Sequence, residues 1–401
     1  MELTNLSTSA KRIIVTCSKR LSPYLEQEII ELGFRPVRVF QTGVELLGTL
    51  NDCIRLNLNL RCASQVLYSL HDFYCNSPDE LYKELIQIPW EKILSNDGYF
   101  SVTSNVTNPS INNSLFANVK VKDAIADRMR DKTGGRPNSG STLEGAVIHL
   151  FWRDEIAEIF IDTSGETLSK HGYRKIPGRA PMLESLAAAT ILATKWDRKS
   201  PFINPMCGSA TLAIEATLIA TDRRPGLFRD NYAFMHVKDF DDAFFEKERA
   251  ALDEKIIDLP ELKVIATDIS EDAINISKIN AGAAGIANYI EFIQCDFEET
   301  PIPENESGAV FLNPEYGERM GEETELEATY HAIGDFLKKK CKGYTGYIFT
   351  GNLILAKKIG LKPKRKIEFY TSKIDCRLLE YELYAGTRKL DSENSQPELN
   401  Y

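Results

Sequence analysis

The sequence predicts a mixed α/β chain in which an α+β module precedes an open, mostly parallel sheet with its ligand site along one edge. Five stretches carry that expectation. Residues 202–216, which contain Asn204-Pro205-Met206-Cys207-Gly208-Ser209-Ala210-Thr211, read as the end of a buried strand, a tight small-residue turn and the start of an apolar helix. Such a turn leaves backbone N–H groups free at a helix N-terminus, and Gly208 lets a ligand approach the backbone closely. Three more apolar strands follow at βα spacing and end in polar groups: 262–270 at Asp268, 289–297 at Asp296, and 309–317 at Asn313-Pro314-Glu315-Tyr316. Strands that bring polar groups to the same carboxyl edge make one cleft, and the acid after the glycine turn is placed to hold two ribose hydroxyls. Ahead of them, residues 11–47 read as β-α-β-β, a packing scaffold.

Composition narrows the class. A chain of 401 residues has room for about two to three domains with real cores. With 43% hydrophobic and 26% charged residues it reads as soluble and globular, with no membrane span and no apolar secretory core in residues 1–10. Eight scattered cysteines form no C-x-x-C pair and His is scarce, so no zinc site is expected; free thiols in a reducing cytoplasm are the plain reading. Cys207 reads as a small packing residue rather than a nucleophile. A net charge of −10 argues against indiscriminate coating of nucleic acid but leaves room for local basic faces.

In chain order, residues 11–17 form a strand, Ser22-Pro23 opens a helix to about residue 32, and short strands follow at 37–40 and 44–47. Residues 51–59 read as a strand or a short helix; from Ala63 the chain is expected to turn helical, with a further helix at 79–86. A strand at 99–106 precedes an amphipathic helix at 116–130 with Val121, Ala124, Ile125 and Met129 on one side. Its other surface and the glycine loop after it carry Lys120, Lys122, Arg128, Arg130, Lys132 and Arg136 interleaved with Asp123, Asp127 and Asp131, which suits either a solvated face or RNA. A strand pair surrounds Arg153-Asp154. Residues 169–181, with Lys170, His171, Tyr173, Arg174, Lys175 and Arg179 and no acid, are a solvated linker or a seat for a phosphate backbone beside an unstacked base.

An alanine-rich helix at 183–192 should pack on the sheet. The excursion 221–254 carries Phe228, Tyr232, Phe234, Phe240, Phe244 and Phe245, which either pack a core or stack a base. The helix 271–281 should turn Ala273, Ile274, Ser277 and Ile279 inward. A helix at 323–340, a strand at 346–350 and an antiparallel pair at 366–370 and 377–384 complete the sheet; Lys357, Lys358, Lys362, Lys364, Arg365 and Lys366 read as an unneutralised basic patch, and 391–401 as a polar tail.

These pieces resemble a known family. Asn204-Pro205-Met206-Cys207-Gly208-Ser209-Ala210-Thr211 followed by Glu215 is similar to the Asp-Pro-Met-Cys-Gly-Ser-Gly-Thr signature of the THUMP-containing rRNA guanine-N2 methyltransferases, formerly labelled N6-adenine-specific DNA methylases. Asn313-Pro314-Glu315-Tyr316-Gly317-Glu318-Arg319 resembles their Asn-Pro-Pro-Tyr-Gly-Glu-Arg, and the likeness covers nearly the whole chain. It implies a ferredoxin-like domain at 1–62, a THUMP RNA-binding domain at 63–165 and a Rossmann-like class I methyltransferase domain at 166–390. It implies S-adenosylmethionine held by Asn204, Pro205, Met206, Cys207, Gly208, Ser209, Thr211, Asp268, Ile269, Asp296, Phe297 and Asn313, with residues near Ala180-Pro181 at the pocket mouth. RNA, expected to be 23S rRNA or a ribosome-assembly intermediate, would meet Lys120, Arg128, Lys132, Arg136, Lys170, Tyr173, Arg174 and Lys175.

The chemistry such a site must perform is direct displacement at a methyl group, where alignment supplies most of the catalysis. An exocyclic base amine delocalises its lone pair, so acceptors aimed at its N–H groups, the Asn313 side chain and the Pro314 carbonyl, would localise and aim it while Tyr316 stacks the base. Three departures bear on the transfer: Asn204 for Asp removes a charge, Ala210 for Gly restricts the turn if that position needs positive φ, and Glu315 for Pro adds a carboxylate that could take the proton, bind Arg319 or disturb the site. The expected activity is N2-methylation of guanine in 23S rRNA. Adenine-N6 methylation of DNA and an RNA-binding or ribosome-assembly protein with an impaired site are the alternatives.

Overall fold

Alternating burial along Lys11–Thr16 makes the first strand, β1, a half-buried one, and the chain returns beside it as β2 (Pro36–Phe40), β3 (Gly43–Gly48) and β4 (Gln65–Tyr74). The computed structural model describes residues 5–108, 111, 113–304, 306–316, 323–371 and 374–384. The helix Leu50–Asn59 is set by a capping box in which Thr49 and Asp52 satisfy each other's backbone N–H groups; this resolves 51–59 as helix. The stretch from Ala63, expected to be helical, is instead β4: it pairs with β1 on one side and with β8 (Ile156–Asp162) on the other. A strand buried on both faces shows a continuous apolar run whose periodicity does not separate it from a helix.

The same sheet continues through β5 (Tyr99–Thr107), β6 (Asn138–Gly140) and β7 (Ala146–Arg153), giving the order β2-β3-β1-β4-β8-β7-β5-β6. The helix Ser114–Thr133 buries Val121, Ala124, Ile125 and Met129 as expected and ends at Gly134, φ +73°. This compact unit takes residues up to Lys175 and adds Met182–Leu192 and Leu218–Asp258. The aromatic excursion is core: Tyr232 and Phe234 stack at 4.9 Å and are fully buried, and Phe245 and Phe240 pack on Phe234. A base-stacking role for these rings does not fit their burial.

The second unit takes Ile176–Pro181, Ala193–Thr217 and the chain from Leu259. Its strands are β9 (Phe202–Pro205), β10 (Val264–Asp268), β11 (Ile290–Gln294), β12 (Ala309–Leu312), β13 (Thr345–Thr350), β14 (Arg365–Thr371) and β15 (Ile374–Glu382), in the order β11-β10-β9-β12-β13-β15-β14. The first five are parallel and β15 runs antiparallel between β13 and β14. Order reverses at β9, so the crevice of this Rossmann-like sheet opens between the carboxyl ends of β9 and β12. Ile203, Val310, Leu312, Ile333, Leu337, Ile348 and Leu379 fill one core beneath it.

Two expectations need correcting in this unit. On the helix Glu271–Ala283, Ile274, Ser277, Asn280 and Ala281 are buried, while Ile279 is exposed because it falls a residue short of that face. The basic patch is partly neutralised: Lys358 pairs with Glu327, Lys364 with Glu382 and Arg365 with the buried Glu380.

Candidate active site

The turn between β9 and the helix Thr211–Ala220 is built from left-handed residues. Met206, Gly208 and Ala210 have φ of +54°, +57° and +55°. Ala210 therefore occupies a conformation that costs a residue with a Cβ roughly 1–2 kcal/mol. Three bonds hold it. The Cys207 N–H donates to the Thr267 carbonyl at 2.9 Å, the Gly208 N–H to Asp268 Oδ2 at 2.9 Å, and Ser277 Oγ to the Gly208 carbonyl at 2.9 Å. Among the described residues, chain neighbours aside, no protein atom lies within 4 Å of where a Gly208 side chain would stand, so that face of the turn is open to them.

The expected residues of the donor site come together along this edge. Asp268 ends β10 and also accepts from the Ser270 N–H; the Cys295 N–H, at the end of β11, donates to the Asp268 carbonyl. Asp296 follows and accepts from the Glu298 N–H at 2.9 Å. Ile269 is 69% exposed beside them, whereas Phe297 is committed partly to the core through an edge-on contact with Phe336 at 5.9 Å. Ser209 and Thr211 are buried at the helix start, and Gly178 lies against Ser209: a Cβ there would come within 3.3 Å of the Ser209 Cβ. Cys207 keeps its proton, since burial and the adjacent Asp268 carboxylate push its thiol up to about 12; this suits a packing role.

Asn204 is explained by the ladder. Its Nδ2 donates to the Phe311 carbonyl at 2.9 Å, tying β9 to β12 just past their last register pair, Ile203–Val310. A carboxylate could not make that bond. Among the described residues Asn204 Oδ1 is left buried without a hydrogen-bond partner, and so is Asn313 Oδ1, just past the carboxyl end of β12. Buried carbonyls without partners cost about 1–3 kcal/mol each and ask for an explanation. Pro314 is buried, Glu315 exposed, and the ring of Tyr316 lies over Gly351, where a Cβ would stand 3.0 Å from the ring. Gly317, Glu318 and Arg319 lie outside the described residues. Sequence reasoning missed Gly351; its one signal was the Gly351-Asn352 pair closing a strand.

The basic residues divide. Arg136, Lys170 and Lys175 are exposed; Lys132 is exposed but ion-paired with Asp131 at 2.9 Å, and Lys120 is ion-paired with Asp79 at 3.3 Å. Three are corrections. Arg128 grips Glu91 with two nitrogens and the Ile86 carbonyl with a third. Arg174 is held by the buried Glu184 and the Met182 carbonyl. Tyr173 is 1% exposed, edge-on to Phe228, and offers no face to a base. Among the described residues no group of three or more His, Cys, Asp or Glu is placed to hold a metal ion, and no helix is long and apolar enough to cross a membrane.

Comparison with known proteins adds the following. Residues 171–380 match the RMKL-like methyltransferase domain, residues 12–67 the RlmL ferredoxin-like domain and residues 75–162 the THUMP domain. The Ribosomal RNA large subunit methyltransferase K/L of Syntrophotalea carbinolica is 33% identical over 383 residues, covering 93% of this chain and 53% of that protein; the chain spans about half the length of the curated relatives it matches. Two solved structures superpose with a TM-score of 0.84: a possible methylase of Clostridium difficile, 27% identical over 95% of this chain and all of that one, and a chain described as a predicted N6-adenine-specific DNA methylase of Listeria monocytogenes, 29% identical over 94% and 97%.

Proposed function

This chain belongs to the RMKL-like methyltransferase family, and from that premise we propose that it methylates the exocyclic N2 amine of a guanine in 23S rRNA, in the cytoplasm. S-adenosylmethionine supplies an electrophilic methyl group on a sulfonium. The residues at the β9 and β10 ends fit it: the open Gly208 face for the backbone approach, Asp268, already braced by the Gly208 N–H, for the ribose hydroxyls, exposed Ile269 for the adenine, and the buried Asn204 Oδ1 for the ammonium of the methionine moiety.

The observation that carries the reading is the pair of carbonyl oxygens without a partner among the described residues, Asn204 Oδ1 in β9 and Asn313 Oδ1 just past the end of the adjacent β12, where the sheet order reverses. One meets a cationic N–H donor. The other, with the Pro314 carbonyl, accepts the two N–H groups of the target amine. Held so, the amine's lone pair leaves conjugation with the ring and points along the displacement axis. The Tyr316 ring supports the extruded base, a contact worth about 1–3 kcal/mol. Exposed Lys132, Arg136, Lys170 and Lys175 supply phosphate contacts.

Nucleoside analysis of rRNA and DNA from cells with and without the gene tests substrate class: loss of N2-methylguanine from 23S rRNA supports the reading, and loss of N6-methyladenine from DNA replaces it. Calorimetry with S-adenosylhomocysteine tests the impaired-site alternative motivated by Asn204, Ala210 and Glu315. Tight binding removes it.

A further inference from the structure

The segment 176–181 belongs to the methyltransferase unit although the residues on both sides of it, Lys175 and Met182, cluster with the other unit. It is exposed along most of its length, and Ile176 itself is 38% exposed. Burial therefore does not hold it down. Its attachment is polar. The Ile176 N–H donates to Asn280 Oδ1 at 3.1 Å, and Asn280 Nδ2 donates to the Ile176 carbonyl at 3.0 Å. The side-chain amide thus imitates a neighbouring strand, closing both backbone groups of one residue. Two residues on, Gly178 rests on Ser209 of the left-handed turn.

Asn280 sits 1% exposed on the helix Glu271–Ala283, one turn after Ser277, which grips the Gly208 carbonyl of the same turn. Residues three apart share a helix face. One face therefore fixes the glycine turn with Ser277 and the strap that lies against it with Asn280. An asparagine buried in a helix is a poor choice unless both ends of its amide are used, and here they are used on the strap.

We propose that Asn280 is a positioning residue for the donor site, its amide clamping residues 176–181 against the β9 turn so that the strap covers the methyl donor. The inference rests on the reading that this turn holds the donor. It assigns to Asn280 no contact with substrate.

Trypsin reads the strap directly, since Lys175 and Arg179 flank and punctuate it. In the full chain without ligand, Asn280→Ala is expected to speed cleavage at both positions, and its affinity for S-adenosylhomocysteine by calorimetry to fall about tenfold, the worth of two modest hydrogen bonds. Asn280→Asp has the same shape but turns an acceptor toward the Ile176 carbonyl. It is expected to release the strap as fully as alanine does, which a packing role would not produce. Gly178→Val, with Asn280 intact, presses on Ser209 and should reproduce the loss of affinity in a chain whose melting temperature is unchanged. The clamp is overturned if both Asn280 variants are cut at the wild-type rate. The positioning role is overturned if the strap is released but affinity stays within about twofold. A wild-type chain that does not bind S-adenosylhomocysteine overturns the donor reading, while unliganded cleavage still decides the clamp.

Discussion

The carboxyl edge of the parallel sheet and the basic surface ahead of it differ in how far residue type foretells residue role. At the sheet edge topology decides: β9, β10, β11 and β12 end together, so whatever polar groups stand at their tips share a crevice. On the basic surface charge alone was the guide, and charge is ambiguous. Arg128 and Arg174 carry the same guanidinium as Arg136, but acids within reach have taken them into the fabric of the fold. A backbone that converges makes a site regardless of neighbours, whereas a cation makes a site only where no neighbour has claimed it.

The sharpest way to break this comparison is Asn313→Ala. Removing the acceptor proposed for the target amine is expected to lower methyl incorporation by about two to three orders of magnitude, with S-adenosylhomocysteine binding retained in calorimetry; near-wild-type turnover would remove the catalytic role proposed for the β12 end. Next, the basic surface should split in two. Arg128→Ala is expected to cost about 1–2 kcal/mol in denaturant unfolding and to leave RNA affinity alone. Arg136→Ala and Lys170→Ala should leave unfolding alone and each lower the salt slope of RNA binding by about one. Equal behaviour of the three in a filter-binding titration would erase the distinction.

A third effect is the pH dependence of the first unit. Asp162 is fully buried, and desolvation lifts its carboxyl to about 7 although the Ser164 and Gly165 N–H groups, the Gln65 amide and nearby Arg229 favour the anion. Its folded pKa lies above the ordinary 3.8, so the favourable contribution is complete below about pH 4 and drains away as pH climbs to about 7. Asp162→Asn should flatten that decline in melting temperature; an unchanged slope would place the titration elsewhere. The smallest effect is Ala210→Gly, expected to raise stability by roughly 0.5 kcal/mol, since relief of left-handed strain slightly exceeds the entropy a glycine adds to the unfolded chain. A clear loss in calorimetric unfolding would mean that the buried Ala210 methyl matters more than its φ.

Much of the site was legible because the glycine turn and the strand-end acids are local patterns read in βα order. Ala210 shows the same for strain: its replacement of a glycine in the motif raised the question of φ, and the turn does require +55°. What stayed hidden was non-local. The Asn204–Phe311 bond joins residues more than a hundred positions apart, and no spacing rule reaches that far. Strand β4 was misread because a doubly covered strand lacks alternation, and Ile279 because one residue of helical phase separates core from solvent.

That misread strand has a practical consequence. β4 is bonded to β1 of the ferredoxin-like module and to β8 of the THUMP module, so the two share a single ladder of backbone bonds. A truncation at residue 62, where the two modules were expected to part, strips each fragment of a central neighbour and bares a row of N–H and C=O groups ready to recruit strangers. Such pieces should precipitate or pair with one another, and a THUMP half prepared by cutting there would report on aggregation instead of on its own binding.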